Sequence, residues 1–145
     1  MLPFRLHLKP GESPYRQVIY AVKKAIASRR MRPGDPFPSV RKLSQALKIN
    51  PNTAHKAVAA LIAEGLLEVR PGIGTTVAEA QTMSTQERRE LLNEPLEHLV
   101  VEAKRLGLSR SDLAAALEEH WALLSSPNGR DESDDKKGTT DDSRD

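Results

Sequence analysis

The sequence predicts a mainly α-helical protein with one small β-hairpin, followed by a separate helical segment. Three observations predict this fold class. Aromatic residues make up 3% of the 145 residues, so the core must be built mainly from Leu, Ile, Val and Ala, a composition that favours helices. Apolar residues recur at helical spacing along most of the chain. Residues 66–77 instead contain two short apolar stretches around the turn PGIG, which is a hairpin pattern.

The N-terminal elements follow from spacing and capping residues. Phe4, Leu6 and Leu8 alternate with other residues, which predicts a short strand. Residues 13–30 are predicted to form a helix that Ser13 caps and Pro14 begins. Its apolar side contains Val18, Ile19, Val22 and Ile26. Residues 31–39 include three prolines and a glycine, so a loop must follow.

Two further helices and the hairpin are predicted next. A short helix over about residues 40–47 starts after Ser39, and its predicted buried residues are Val40, Leu43, Ala46 and Leu47. Residues 48–50 link it to a helix over about residues 51–64, which buries Ala54, Ala57, Val58, Leu61 and Ile62. Gly65 ends this helix, and residues 66–70 and 75–77 form the hairpin, whose glycines can take positive φ.

The chain becomes charged and helical after the hairpin. Residues 84–87 (STQE) and 109–112 (SRSD) match the capping box, so each predicts a helix start. Pro95 lies inside the first of these helices, and we expect a kink or a break near residues 91–94. The first helix runs to Gly107 with the apolar stripe Leu92, Leu96, Leu99, Ala103 and Leu106. The second carries Leu113, Ala116, Leu117, Trp121 and Leu124.

These two helices are predicted to form a dimerisation segment. Two isolated helices cannot bury a continuous apolar stripe well, so pairing with a second copy is the simplest interpretation. Packing of the stripe within the same chain is the alternative. The residues expected at the dimer contact are Leu92, Leu96, Leu99, Ala103, Leu106, Leu113, Leu117 and Trp121.

Charge is distributed unevenly along the chain. Residues 1–78 carry 13 lysines and arginines against 4 acidic residues, a balance of +9, whereas residues 79–125 have a balance of −4 and residues 126–145 of −3. A basic compact segment beside an acidic remainder indicates that the first half contacts a polyanion.

The helix over residues 51–64 has an unusual polar side. Its start, INPNTAHKAV from residue 49, places Asn52, His55 and Lys56 on one face, with small Ala59 and Ala63 continuing the stripe. An amide can hydrogen-bond adenine, and small residues allow close approach to the floor of a DNA groove. A short helix, a tight link, a second helix and a glycine-rich hairpin are together the pattern of a winged helix-turn-helix.

Residues 33–77 (PGDPFPSVRKLSQALKINPNTAHKAVAALIAEGLLEVRPGIGTTV) resemble the DNA-binding half of GntR-type bacterial transcription regulators. The NPNT start and the remainder of two helices resemble the YtrA subfamily. The resemblance implies binding to operator DNA as a dimer, usually as a repressor. It also implies phosphate contacts from Ser39 and Arg41, a wing tip at Gly72 and Ile73, and a recognition helix that meets the major groove through Asn50, Asn52, Thr53, His55 and Lys56.

The sequence adds two basic positions to this interface and departs from the wider family at two others. Arg41 and Lys42 begin a helix, where cations oppose the helix dipole and a bound anion relieves the penalty. Arg70 and the PGIG turn are expected along the adjacent minor groove, with a simple tight turn as the alternative. Pro51 and His55 stand where many relatives outside the subfamily carry arginine. The large C-terminal domains of other GntR branches do not fit into the residues that follow the hairpin.

The predicted organisation is therefore a DNA-binding domain over residues 1–78, a helical dimerisation segment over residues 79–125 and an acidic tail over residues 126–145. The tail contains no Leu, Ile, Val or aromatic residue, so we expect it to be disordered. The expected function is a dimeric repressor on an inverted-repeat operator. The alternative is a winged-helix protein-interaction module without specific DNA binding.

Other classes of function have little support. The four histidines are scattered, and no nucleophile-base or phosphate-cradling pattern is present, so an enzyme or a cofactor is not expected. Glu94, His98 and Glu102 share a helical face, but a charged surface stripe is the better interpretation than a metal site. No apolar run is long enough for a membrane span, which leads us to expect a cytoplasmic protein. The sequence identifies no small-molecule effector.

Overall fold

A computed structural model describes residues 2–79 and 85–125 of the chain. These residues contain six helices and one two-stranded antiparallel sheet, which confirms the predicted fold class. The elements are α1 (Pro14–Ala27), α2 (Val40–Leu47), α3 (Pro51–Ala63), β1 (Leu67–Arg70), β2 (Gly74–Val77), α4 (Thr85–Leu91), α5 (Glu94–Arg105) and α6 (Arg110–Ser125). The chain divides into two compact units, residues 2–79 and 85–124 in the described part. In that part of the chain, no helix has the length and apolarity needed to span a bilayer.

The first unit is built around α3, which packs against α1, α2 and β1. Leu61 of α3, Leu43 of α2 and Val18 of α1 are completely buried, so one shared core holds the three helices together. The buried side predicted for α3 is confirmed, with Ile62 half-buried at its edge. Gly65 has a φ of +78° immediately after the helix, a conformation that glycine adopts without steric cost.

Helix α1 begins where the sequence predicts. The Ser13 hydroxyl accepts a hydrogen bond from the backbone N–H of Arg16 at 3.4 Å, and Pro14 occupies the first turn. The helix ends at Ala27, earlier than the predicted range of residues 13–30. Met31, beyond this end, is buried in the core, so the following loop takes part in packing.

The predicted strand at Phe4, Leu6 and Leu8 is wrong, because these residues form no strand. A strand needs a partner, and the outer edge of β2 is already occupied by the loop that precedes α2. Phe4 is buried instead by stacking its ring on Phe37, with centroids 6.0 Å apart and planes 8° from parallel.

The proline-containing loop lies along β2 as an irregular third partner of the hairpin. The backbone N–H of Gly34 donates to the carbonyl of Val77 at 2.9 Å, and that of Phe37 donates to Thr75 at 2.8 Å. Pro36 forms an isolated bridge with Thr76. Within the first unit, the loop therefore connects the hairpin to the start of α2 through backbone hydrogen bonds.

The second unit contains α4, α5 and α6. The predicted break near Pro95 is confirmed, since α4 ends at Leu91 and α5 begins at Glu94. The segment consequently has three helices rather than the predicted two, and Leu92 lies in the turn between α4 and α5 instead of on a helix. The predicted capping residue Ser84 and the predicted tail, residues 126–145, lie outside the described residues.

The capping box at the start of α6 forms as predicted. The backbone N–H of Asp112 donates to the Ser109 hydroxyl at 3.0 Å, and the N–H of Ser109 donates to Asp112 Oδ2 at 2.8 Å. The hydrogen bond from the Ser109 backbone N–H to the Asp112 carboxylate, and then the interaction of that carboxylate with the Ser109 side chain, lower the pKa of Asp112 below its ordinary value.

Candidate nucleic-acid interface

The N-terminus of α2 presents backbone donors and two cations. The Ser39 hydroxyl accepts a hydrogen bond from the N–H of Lys42 at 3.2 Å, which caps the helix. The first turn contains no acidic residue, and Arg41 and Lys42 are exposed in it. Because a helix N-terminus carries partial positive charge, the absence of a carboxylate leaves this end suited to a phosphate group.

The inner side of α2 differs from the prediction at two positions. Ala46 is exposed, whereas it was expected to be buried, and Ser44 is buried instead. The Ser44 hydroxyl donates to the backbone carbonyl of Arg41 at 2.9 Å, so its polar atom is satisfied inside the helix. This local bond explains how a serine can replace an apolar residue in the core.

A tight link sets the angle between α2 and α3. Lys48 ends α2 with a φ of +55°, and the N–H of Ile49 donates to the carbonyl of Ser44 at 3.1 Å. Asn50 then caps α3, because its Oδ1 accepts a hydrogen bond from the N–H of Asn52 at 2.8 Å. Pro51 occupies the first turn, where a missing N–H leaves no helical hydrogen bond unmade.

The polar side of α3 faces solvent. Asn52, His55 and Lys56 are exposed, while Thr53 is half-buried. Ala59 and Ala63 are also exposed, so small side chains continue the polar stripe. The first turn of α3 contains no acidic residue. This surface offers an amide, an imidazole and an ammonium group on a helix whose N-terminus favours anions, a combination suited to DNA.

The hairpin extends beyond the core as a wing. Arg70 pairs with Gly74 across the turn, and Gly72 and Gly74 have φ values of +78° and +115° that favour glycine. The predicted tip residue Ile73 is 72% exposed, and Val69 on β1 is 63% exposed. The wing therefore projects two apolar side chains that its own core does not cover.

Arg70 is held on the wing by two carboxylates. Its Nε and Nη2 donate to Glu68 Oε1 at 3.2 and 3.1 Å, and Nη2 lies 3.2 Å from Glu79 Oε1. The hydrogen bond to Glu68, together with the charge of Glu79, raises the pKa of Arg70 above its ordinary value. Sequence reasoning missed both carboxylates. The two-residue spacing of Glu68 and Arg70 on a strand was a signal for the first contact, whereas Glu79 approaches through tertiary structure.

For three residues of α5, the sequence favoured a charged surface stripe over a metal site. In the described ranges, histidine, aspartate and glutamate form no group of three that could hold a metal ion. Glu94, His98 and Glu102 are exposed along α5.

The capped helix pair, the exposed polar side of the second helix and the projecting hairpin define a winged helix-turn-helix protein. Residues 14–77 match the family model described as bacterial regulatory proteins, gntR family. The HTH-type transcriptional repressor YtrA of Bacillus subtilis (strain 168) is 34% identical over 106 residues, which cover 72% of this chain and 82% of that protein. The chain belongs to the GntR family, and it is a DNA-binding transcription regulator rather than an enzyme.

Solved structures share this fold. A crystal structure of a transcriptional antiterminator from Listeria monocytogenes EGD-e has a TM-score of 0.73 and 19% identity, covering 85% of this chain and 92% of that one. A GntR family transcriptional regulator from Listeria monocytogenes has a TM-score of 0.61 and 22% identity, covering 77% of this chain and 98% of that one. The family model and the 34% identical relative confirm the predicted resemblance to the GntR family and to YtrA.

Proposed function

We propose that this chain is a homodimeric repressor that binds an inverted-repeat operator in double-stranded DNA. The observation that carries the proposal is the exposed polar side of α3, where Asn52, His55 and Lys56 lie opposite the buried side of the same helix. The name of the relative at 34% identity, a transcriptional repressor, supports the regulatory direction.

The proposed base contacts come from α3. Asn52 can form two hydrogen bonds with one adenine edge, donating one and accepting the other. Lys56 and His55 lie on the same exposed surface. Thr53 offers a hydroxyl closer to the core. Asn50 acts mainly through its cap, since its Oδ1 is already hydrogen-bonded to the helix and only the remaining amide atoms are left for DNA.

The proposed phosphate contacts surround this surface. Arg41 and Lys42 approach one strand from the N-terminus of α2, with the Ser39 hydroxyl beside them. Gly72 and Ile73 place the wing tip along the adjacent groove. We expect each subunit to neutralise roughly three to five phosphates. A plot of the logarithm of the binding constant against the logarithm of the salt concentration then has a slope of about −0.9 for each contact.

Dimerisation is proposed to use the apolar residues of the second unit. Of residues 85–125, Ala103 alone is buried. Trp121 is 70% exposed and Leu106 61% exposed, and α5 and α6 make few direct contacts with each other. The remaining proposed contact residues, apart from half-buried Leu113, are exposed as well: Leu92, Leu96, Leu99 and Leu117. Exposed apolar surface on this scale is typical of an interface.

A second copy is the partner that fits both units. Two identical subunits related by a twofold axis place two α3 helices on DNA with the same symmetry as an inverted repeat. The apolar surface of one copy is then covered by the same residues of the other.

Selection of bound fragments from a random DNA pool, at two salt concentrations, tests the proposal. We expect inverted half-sites to be enriched and recovery to fall steeply at the higher salt concentration. Light scattering of the free protein should give the mass of a dimer. A winged-helix protein-interaction module predicts neither an enriched sequence nor salt-sensitive binding. A pool with no enriched sequence and recovery that is the same at both salt concentrations would therefore contradict the proposal.

A further inference from the structure

Two carboxylates converge on one cation of the proposed DNA surface. Glu68 and Arg70 lie two residues apart on β1 and so share a face of the strand. Glu79 comes after β2 in the chain and contacts the same guanidinium. The side chains of Arg70, Glu68 and Glu79 are 39%, 39% and 60% exposed, so all three remain open to a ligand from solvent.

This arrangement is unusual for the unit that contains it. Residues 1–78 hold only 4 acidic residues beside 13 basic ones. Glu68 is one of these four and Glu79 is the next acidic residue in the chain, yet both bind Arg70. By contrast, Arg41, Lys42 and Lys56 have no carboxylate at ion-pair distance among the residues that the structure describes. Among these four cations of the proposed DNA surface, the carboxylate contacts are therefore found at Arg70.

Carboxylate and phosphate oxygens compete for the same N–H groups of a guanidinium. For Arg70 to contact a phosphate, it must leave the oxygens of Glu68 and Glu79 or bring both negative charges toward the DNA backbone. Either course weakens the contact. The loss is comparable to the strength of an exposed ion pair and does not depend on the base sequence.

We propose that Glu68 and Glu79 compete with DNA phosphate for the Arg70 guanidinium, and that they thereby lower the affinity of the wing for duplex DNA of any sequence. This inference rests on the proposed function, since it requires the wing to lie beside DNA. It assigns to the two glutamates a role in setting affinity, and it makes the contact from Arg70 dependent on release from its own carboxylates.

Isosteric amide substitutions test the competition. Glu68→Gln, Glu79→Gln and the double variant are titrated with a fluorescein-labelled duplex of mixed sequence over a series of KCl concentrations. We expect the double variant to bind about two- to fivefold more tightly for each DNA-binding unit, the effect of releasing an exposed ion pair. Its salt slope should become steeper by up to about 0.9 for each unit, as one phosphate contact is gained.

Arg70→Gln in the double-variant background separates competition from simple repulsion. We expect this third substitution to remove the gain in affinity and the added salt slope. Glu64→Gln is the matched control, because Glu64 caps the C-terminus of α3 and pairs with Lys23 at 3.1 Å on the exposed surface rather than with Arg70. It removes one negative charge without releasing Arg70 and should leave the slope unchanged.

Two results would overturn the inference while leaving DNA binding itself in place. One is binding of the amide variants equal to that of the wild type. The other is tighter binding that survives Arg70→Gln, which would assign the gain to lost repulsion. Failure of the wild type to bind any duplex at low ionic strength would overturn the proposed function together with the inference. Thermal melting checks that each variant is folded. If the double variant is unfolded, each single variant should still bind the duplex more tightly than the wild type.

Discussion

Asn50 Oδ1 accepts a hydrogen bond from the backbone N–H of Asn52 at 2.8 Å, so two neighbouring asparagines have different tasks at the start of α3. The first holds the helix terminus, and the second projects its amide into solvent. The interface proposed from sequence included both residues as DNA contacts. The hydrogen bond separates a position that stabilises the helix from one proposed to contact a base.

Asn50→Ala should lower the free energy of unfolding by about 1 kcal/mol, since an N-cap is lost. Asn52→Ala should leave it nearly unchanged, because the exposed side chain has no role in the core. Chemical denaturation measures both values. Equal destabilisation by the two substitutions would contradict this division of tasks.

Asn52→Ala should reduce discrimination at one base pair of the operator by about 1–3 kcal/mol, the worth of a bidentate contact to a base. The measurement compares affinities of wild type and variant for the selected duplex and for duplexes with single base-pair changes. A loss of the same size on scrambled DNA would show that Asn52 does not read a base.

Arg41→Ala should weaken binding to every sequence and reduce the salt slope by about 0.9 for each subunit, because one phosphate contact is removed. Arg16→Ala is the matched control, since Arg16 is an exposed cation in the first turn of α1, outside the proposed interface. Titrations of both variants over a range of salt concentrations give the slopes. If the control loses as much as Arg41→Ala, only overall charge is being measured.

Leu99→Glu should convert the proposed dimer to a monomer and reduce operator affinity, because a charge would be buried in the proposed contact. Val101→Glu provides the comparison: both side chains are 54% exposed on α5, but Val101 lies away from the stripe that contains Leu99. Light scattering across a dilution series measures the mass of each variant. Dimers of both variants, or monomers of both, would place the contact elsewhere.

The capping box of α6 should make the second unit sensitive to acid. The pKa of Asp112 is lowered in the folded state, so its contribution to stability is present above the ordinary value of 3.8 and is lost as pH falls through the lower folded-state pKa. Wild type should therefore melt at a higher temperature than Asp112→Asn at pH 5, with the difference shrinking near pH 2. A difference independent of pH would exclude the carboxylate as its source.

Local signals predicted the helices of the first unit and the exposed side of α3. Ser13 with Pro14, and Asn50 with Pro51, identify helix starts within a few residues of sequence, and apolar spacing then fixes the buried side. These signals are reliable because the forces that create them act between residues close in the chain.

The errors come from contacts between distant residues. Phe4 belongs to an alternating pattern, but the ring that covers it is Phe37, and the outer edge of β2 is already paired with the loop before α2. The loop around Pro36 contains turn residues, yet its backbone lies along β2. Likewise, the position of Arg70 indicated a basic wing, while Glu79, which binds it, is nine residues further along. Pairing of this kind depends on the assembled fold.

The account depends most on the claim that the exposed side of α3 lies in a DNA groove. Amide chemical shifts of the ¹⁵N-labelled chain, followed during titration with the selected duplex, test this claim directly. We expect the changes to concentrate at residues 39–42, 50–56 and 72–73. Saturable binding that leaves the amides of residues 50–56 unchanged, with the changes gathered on α1 or α6, would contradict it.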